Sequence, residues 1–144
     1  MAIWQVPLQI IKKNNASAWT YDTQLENCIK IISPILKKEE SWSEDTEQYG
    51  DIESTCVEFI FDDNHEACEI CIRIDVTTLK EKELDAIIDF INEVNGLILY
   101  NDKIFSAKKE VLIEIIDNSP SAKFYENPHK FLEGIEKSPI IDEY

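Results

Sequence analysis

The sequence predicts a single α+β domain, mainly an antiparallel sheet with helices packed on one face. Two observations predict this class. Apolar residues alternate with period two in some segments and recur at three- and four-residue spacing in others. These segments run strand, helix, strand, strand, helix, strand and two short helices, which is the order of a layered α+β fold. The 144 residues, 44% of them hydrophobic, fit one domain, 1–144, with a core of its own.

The first two elements are a strand and a capped helix. In residues 3–11 the alternating apolar positions are Trp4, Val6, Leu8 and Ile10. Pro7 interrupts them and cannot donate a ladder hydrogen bond, so we expect this strand at a sheet edge or with a bulge. Asp22 is a plausible N-cap for a helix that ends near Ser33, before Pro34. The buried stripe of this helix is predicted to be Leu25, Cys28, Ile29 and Ile32.

The middle of the chain predicts a hairpin and a second helix. Residues 55–61 and 67–76 are apolar strands on either side of the turn formers "DDNHE". Thr77 or Thr78 is expected to cap the next helix, which Asn95-Gly96 ends. Its inward positions are Leu84, Ile87, Ile88, Ile91 and Val94.

The remaining elements are a further strand or a tight hairpin, followed by two short helices. "LILY" and "KIF" flank Asn101-Asp102, a pair suited to a two-residue turn. One helix is centred on 112–116, and another begins at Asn127 with Pro128 at its first position. The order of elements is also that of the ferredoxin-like fold. The first strand is central in that fold, which Pro7 argues against, so the strand order stays open.

Charge is concentrated in the middle of the chain. The net charge is −15, and residues 39–95 carry 18 acidic against three basic residues, a net of −15 by themselves. Such a field repels nucleic-acid phosphates and anionic membranes, and it attracts basic proteins. We therefore expect a basic protein partner, with no nucleic acid and no membrane. The alternative is that the acidic surface serves only solubility.

No motif predicts a cofactor, a metal or catalysis. Cys68 and Cys71 form a C-x-x-C, but they lie in a strand, where residues three apart face opposite ways. Redox sites need such a pair at a helix N-terminus, and zinc sites need a second pair of ligands. The three glycines form neither a phosphate loop nor a dinucleotide fingerprint. We predict that the protein is not an enzyme.

Arg73, the only arginine, is expected to form an ion pair with Asp75 on the outer sheet face; the alternative is a contact with an anion or a partner. A two-residue hairpin turn would place Cys56 opposite Cys71, and Glu58 opposite Glu69. Like charges directly opposite are unfavourable, so a shifted register is favoured.

The acidic stretch "SWSEDTEQYGDIES", residues 41–54, also carries two large aromatic rings. Trp42 is expected to fold back onto the core. Tyr49 is expected to stay exposed and to recognise a partner, because exposed aromatic residues ringed by charge are typical of binding hot spots. The predicted partner-binding residues are Trp42, Glu44, Asp45, Glu47, Tyr49, Asp51, Glu53, Asp62 and Asp63.

The run from "SWSEDTEQYGD" through "EICIRIDV" to "SPSAKFYENPHKFLEGI", residues 41–135, is similar to a pattern found among small acidic bacterial immunity proteins of polymorphic toxin systems. The resemblance implies a non-enzymatic protein that binds and blocks a toxin domain, often a basic nuclease. Two other classes stay open. One is a self-assembling adaptor or structural subunit, and the other is an enzyme that uses Glu58, Arg73 and Asp75.

The N-terminal sequence is expected to belong to a cytoplasmic protein. Lys12 and Lys13 follow its apolar run, which is the reverse of a secretory signal. No apolar run approaches the ~18 residues of a membrane span. The sequence leaves the oligomeric state and the partner's identity open.

Overall fold

The computed structural model describes residues 4–41 and 43–120, and its described part is an antiparallel sheet that carries three helices. The strands are β1 Gln5–Lys12, β2 Trp19–Thr20, β3 Lys38–Glu39, β4 Thr46–Gly50, β5 Cys56–Phe61, β6 Ala67–Asp75, β7 Gly96–Tyr100 and β8 Lys103–Phe105. The helices are α1 Thr23–Ile32, α2 Glu81–Glu93 and α3 Lys109–Asp117. The α+β class is confirmed. The helix expected from Asn127 lies outside the described residues.

The sheet order is β3-β4-β5-β6-β1-β7-β8, with β2 also paired to β6. Strand β1 therefore lies centrally, hydrogen-bonded to β6 on one side and β7 on the other, and the expectation of an edge strand is wrong. Four of these strands, β5, β6, β1 and β7, lie side by side in the order of the ferredoxin-like fold. The order β5-β6-β1-β7 answers the question that the sequence left open.

Pro7 is tolerated in β1 because of the side to which its nitrogen points. The Val76 N–H donates to the Trp4 carbonyl (3.0 Å), and the hydrogen-bonded positions then alternate along the pair. Pro7, opposite Arg73, occupies one of the positions that form no hydrogen bonds with β6. Its nitrogen therefore faces away from β6. On that other side β7 pairs with β1 only from Gln9 to Lys12. The missing N–H thus costs no ladder hydrogen bond.

The core lies between the inner face of the sheet and the helices. α1 contacts α2, and α2 contacts both β7 and α3. Phe59 of β5 and Phe90 of α2 are fully buried and meet edge-on, with ring centroids 5.9 Å apart. The other fully buried large apolar side chains are Ile10, Ile32, Ile70, Ile72, Ile74, Ile87, Ile91, Ile98 and Leu112. This packing leaves the opposite face of the sheet, the outer face, for other roles.

One helix cap was predicted correctly and one was not. The Asp22 side chain accepts a hydrogen bond from the Leu25 N–H (2.9 Å), as expected for the start of α1. Helix α2 begins later than predicted, with Lys80 as its N-cap residue and Glu83 accepting from the Lys80 N–H at 2.9 Å. Thr77 and Thr78 do not cap it, because their hydroxyls donate to the Asp75 carboxylate at 2.6 and 3.0 Å. The carboxylate holds both threonines in the preceding turn.

Of the two alternatives left open for residues 97–105, a further strand or a tight hairpin, the structure has the hairpin, β7–β8. Asn101 and Asp102 both have left-handed backbones, with φ of 52° and 64°, which suits a two-residue turn between twisted strands. Before β7, Asn95 takes the left-handed position that ends α2 (φ 57°). Gly96 is needed for packing, because a Cβ there would lie 2.7 Å from Cγ2 of Ile10.

Candidate functional site

The structure divides the predicted partner-binding residues among several places. Glu44, Asp45, Asp62 and Asp63 lie together at one end of the sheet, whereas Asp51 and Glu53 lie beyond the other end of β4. Glu47 and Tyr49 belong to β4 itself. Trp42 lies outside the described residues. The predicted set is therefore not one continuous surface.

The turn before β4 and the β5–β6 turn meet at one end of the sheet. The Phe61 N–H donates to the Asp45 carbonyl at 2.7 Å, and Nε2 of His65 lies 3.4 Å from Oδ1 of Asp45. These contacts place two stretches of acidic sequence side by side. We call the result the acidic end, and it consists of Glu44, Asp45, Asp62, Asp63 and Glu66, all exposed.

The acidic end is built on an ordered turn. Oδ1 of Asp62 accepts hydrogen bonds from the N–H groups of Glu66 (3.0 Å) and Ala67 (3.3 Å). The His65 ring stacks on Phe61 with centroids 5.2 Å apart, and Phe61 in turn meets Tyr21 edge-on at 4.8 Å. The carboxylates thus project from a hairpin turn that these hydrogen bonds and ring contacts hold in place. By contrast, Glu44 and Asp63 are exposed and form no hydrogen bond or ion pair with any described residue.

Asp51 and Glu53 lie in the β4–β5 loop, which is fastened to the start of β1. Nε2 of Gln5 donates to the carbonyls of Ile52 (2.9 Å) and Ser54 (2.6 Å), and Nε1 of Trp4 donates to the Glu53 carbonyl (3.1 Å). The five residues of β4 separate this loop from the acidic end by about 16 Å of extended chain. One small contact patch cannot include both groups.

Glu47 is locally neutralised. Its carboxylate accepts hydrogen bonds from the Tyr21 hydroxyl at 2.9 Å and from Nζ of Lys38 at 3.1 Å. The hydrogen bond to Glu47 raises the pKa of Lys38, and burial together with the same carboxylate raises the pKa of Tyr21. Glu47 therefore connects β4 to Lys38 of β3 and to Tyr21, which lies between β2 and α1, and it adds little to the acidic field.

Tyr49 is a core residue, and the expectation that it is exposed is wrong. It is 7% exposed and meets Phe59 edge-on at 5.7 Å. Its partner across the β4–β5 ladder is Val57, so it shares the inner face of the sheet. The sequence did not indicate that a strand forms inside the acidic stretch, because apolar residues do not alternate there.

An ion pair lies on the outer face, but its acid is Glu58 and not Asp75. Nε of Arg73 lies 3.2 Å from Oε1 of Glu58, whose side chain is only 4% exposed. Cys71 is opposite Glu58 and Arg73 is opposite Cys56, so the favoured shifted register is confirmed. The shift makes Glu58 the cross-strand neighbour of the arginine, while Asp75 accepts hydrogen bonds from Thr77 and Thr78.

A groove of about 470 Å³ crosses this face above the ion pair, and we call it the outer groove. It runs across β5, β6, β1 and β7 to the β7–β8 turn. The residues that line it include the ion pair and are Pro7, Leu8, Gln9, Glu58, Ile60, Cys71, Ile72, Arg73, Leu99, Tyr100, Asn101 and Asp102. The sequence indicated the ion pair but not the groove, which forms only when four strands are in register.

The cysteines behave as packing residues. Cys68 belongs to the inner core and Cys71 to the outer face, as the strand geometry predicted. Burial raises the pKa of Cys68 and of Cys56 to about 12, and that of Cys71 to about 11, so all three stay protonated at neutral pH. Within residues 4–41 and 43–120, no group of three or more His, Cys, Asp or Glu side chains is placed to hold a metal ion.

No family model matches the chain, and neither does any curated protein or solved structure. Among the described helices, none has both the length and the apolar character needed to cross a membrane.

Proposed function

We propose that this protein is a non-enzymatic binding protein of the cytoplasm that docks a basic protein partner through the acidic end, as an immunity protein docks a toxin domain. The observation that carries the proposal is the junction of two acidic turns through Asp45, Phe61 and His65. It gathers exposed carboxylates from the two turns that flank the β4–β5 pair on one surface.

The physical argument is electrostatic. Exposed carboxylates with no partner of their own create a long-range negative field, which speeds the encounter with a basic protein. If the partner is a nuclease, the same carboxylates can occupy a site built for phosphate and so block it. The β5–β6 turn is held by its own hydrogen bonds, so little ordering of the chain is needed when the partner binds. This favours fast binding.

The proposal is tested in two stages. The tagged full chain is first used as bait in the source cell's lysate at low salt, and any basic protein retained stoichiometrically is identified and purified. Association rates with that purified protein are then measured for wild type and for Glu44→Lys with Asp63→Lys. We expect the double substitution to slow association about tenfold at low salt, and the difference to shrink as salt is added.

The matched control is Asp89→Lys with Glu93→Lys on the exposed face of α2. Both double variants change the net charge of −15 by the same four units. Equal slowing by both would mean that net charge, and not the acidic end, drives association. A pull-down that recovers only the bait, with a stable homo-oligomer by light scattering, would instead favour a self-assembling subunit.

A further inference from the structure

We propose that the outer groove is the second half of the same interface and receives an apolar side chain of the basic partner, with lysine or arginine residues beside it. This inference rests on the proposed function and deepens it, because it assigns the anchoring contact that the acidic end lacks. Exposed carboxylates steer association, but they contribute little binding energy once screened. Binding energy is usually concentrated in side chains that fill desolvated pockets.

The groove offers such a pocket. Its apolar walls are Ile60 on β5, Pro7 on β1 and Leu99 on β7. Ile60 is 39% exposed although its strand, β5, is paired on both sides. Next to Leu99 in the β7–β8 ladder lies Ile104, another exposed isoleucine. Apolar surface is therefore exposed along the groove and at its side.

The groove is continuous with the acidic end. Ile60 lines the groove, and the next residue, Phe61, donates its N–H to the Asp45 carbonyl. Thr46, which directly follows Asp45, is the partner of Ile60 across the ladder, and Glu69 is the partner on the other side. A protein that contacts the acidic end therefore lies within reach of the groove.

The charges around the groove select the flanking residues of the partner. Arg73 adds no net positive charge, because Glu58 is paired with it at 3.2 Å. The remaining charged lining residue is Asp102, and exposed Glu69 lies beside Ile60. The surroundings are therefore net negative, which favours an apolar side chain flanked by cations and disfavours one flanked by acids.

The test compares the groove with an isoleucine of equal exposure elsewhere. Ile60→Thr with Leu99→Thr places a β-branched residue, which suits a strand, at both positions and removes apolar surface without adding charge. Ile113→Thr on α3 is the control, because Ile113 is also 39% exposed. With the purified basic protein as probe, we expect the groove variant to dissociate about tenfold faster and to associate at a rate within about twofold of wild type. The control should match wild type in both rates.

The outcomes separate this inference from the proposed function. If Glu44→Lys with Asp63→Lys slows association while the groove variant dissociates like wild type, the groove inference is overturned and the proposed function stands. A groove variant that changes only the mass seen by light scattering would show that a second copy fills the groove. A lowered melting temperature with unchanged partner kinetics would show that Ile60 and Leu99 serve only the packing of the chain itself. Either result overturns the inference, and retention of no basic protein overturns both proposals.

Discussion

The acidic end and the outer groove use carboxylates in opposite ways. At the acidic end, Glu44 and Asp63 are exposed and form no ion pair with any residue in 4–41 or 43–120. In the groove, Glu58 is almost completely buried and lies against Arg73. An exposed charge acts over several ångströms through the field it creates and contributes little to stability, whereas a buried one must be paired if the fold is to tolerate it. Acidic composition alone therefore does not reveal what each carboxylate does.

The largest expected effect is at the buried pair. Arg73→Ala leaves the Glu58 carboxylate buried without its cation, and we expect the free energy of unfolding to fall by about 3 kcal/mol. Urea unfolding at pH 7 measures the loss.

The control is the double substitution Glu58→Leu with Arg73→Leu, which removes both charges and keeps apolar volume on the sheet. It should destabilise less than Arg73→Ala, because no uncompensated charge stays buried. If the single and double variants lose equal stability, the contribution of Arg73 is packing and the comparison with the acidic end fails.

The second effect is a loss of stability in alkali. Burial raises the pKa of Cys71, in the groove, from 9.0 to about 11. The thiol ionises first in the unfolded chain, so this contribution is fully present below about pH 9 and is lost as the pH rises through 11. Cys71→Ala should reduce the fall in unfolding free energy between pH 8 and pH 11 by at most about 2 kcal/mol. Urea titrations across that range in reducing buffer measure it, and identical pH profiles would contradict it.

A third, smaller effect separates two neighbouring acids of the acidic end. Asp62 accepts two backbone hydrogen bonds across its turn, whereas Asp63 accepts none from the described residues. We expect Asp62→Ala to destabilise the fold by about 1 kcal/mol and Asp63→Ala to leave it nearly unchanged. Thermal unfolding of the two variants is the measurement. Equal losses would mean that the turn does not depend on the Asp62 carboxylate.

Local patterns predicted much of the fold. The β5–β6 hairpin, the β7–β8 turn and the register shift follow from alternation, turn residues and the repulsion of like charges, all of which act between near neighbours. The error at Pro7 has a different origin. Whether a proline disrupts a strand depends on the side to which its nitrogen points, and that is decided by a partner more than 60 residues away in sequence.

The site was less predictable than the fold. Strand β4 was missed because Thr46, Gln48 and Tyr49 are buried by pairing with β5 and not by an apolar pattern of their own. The acidic character of the surface was evident from composition. Which carboxylates lie together was not, since Asp45 and Asp62 are brought together by the pairing of β4 with β5 and by the contact between His65 and Asp45.

The smallest expected effect on stability is at the acidic end itself. Glu44→Lys with Asp63→Lys removes two like charges from a crowded negative surface, so at low salt we expect unfolding free energy to rise slightly, by less than ~0.5 kcal/mol. In about 0.5 M salt the difference should vanish, because exposed charges are then screened within a few ångströms. Urea unfolding at both salt concentrations measures this. A loss above about 1 kcal/mol would show that these carboxylates hold the fold together. They would then not be available to bind a partner. The contrast between these exposed carboxylates and the buried carboxylate of Glu58, which the fold needs to be paired, would disappear.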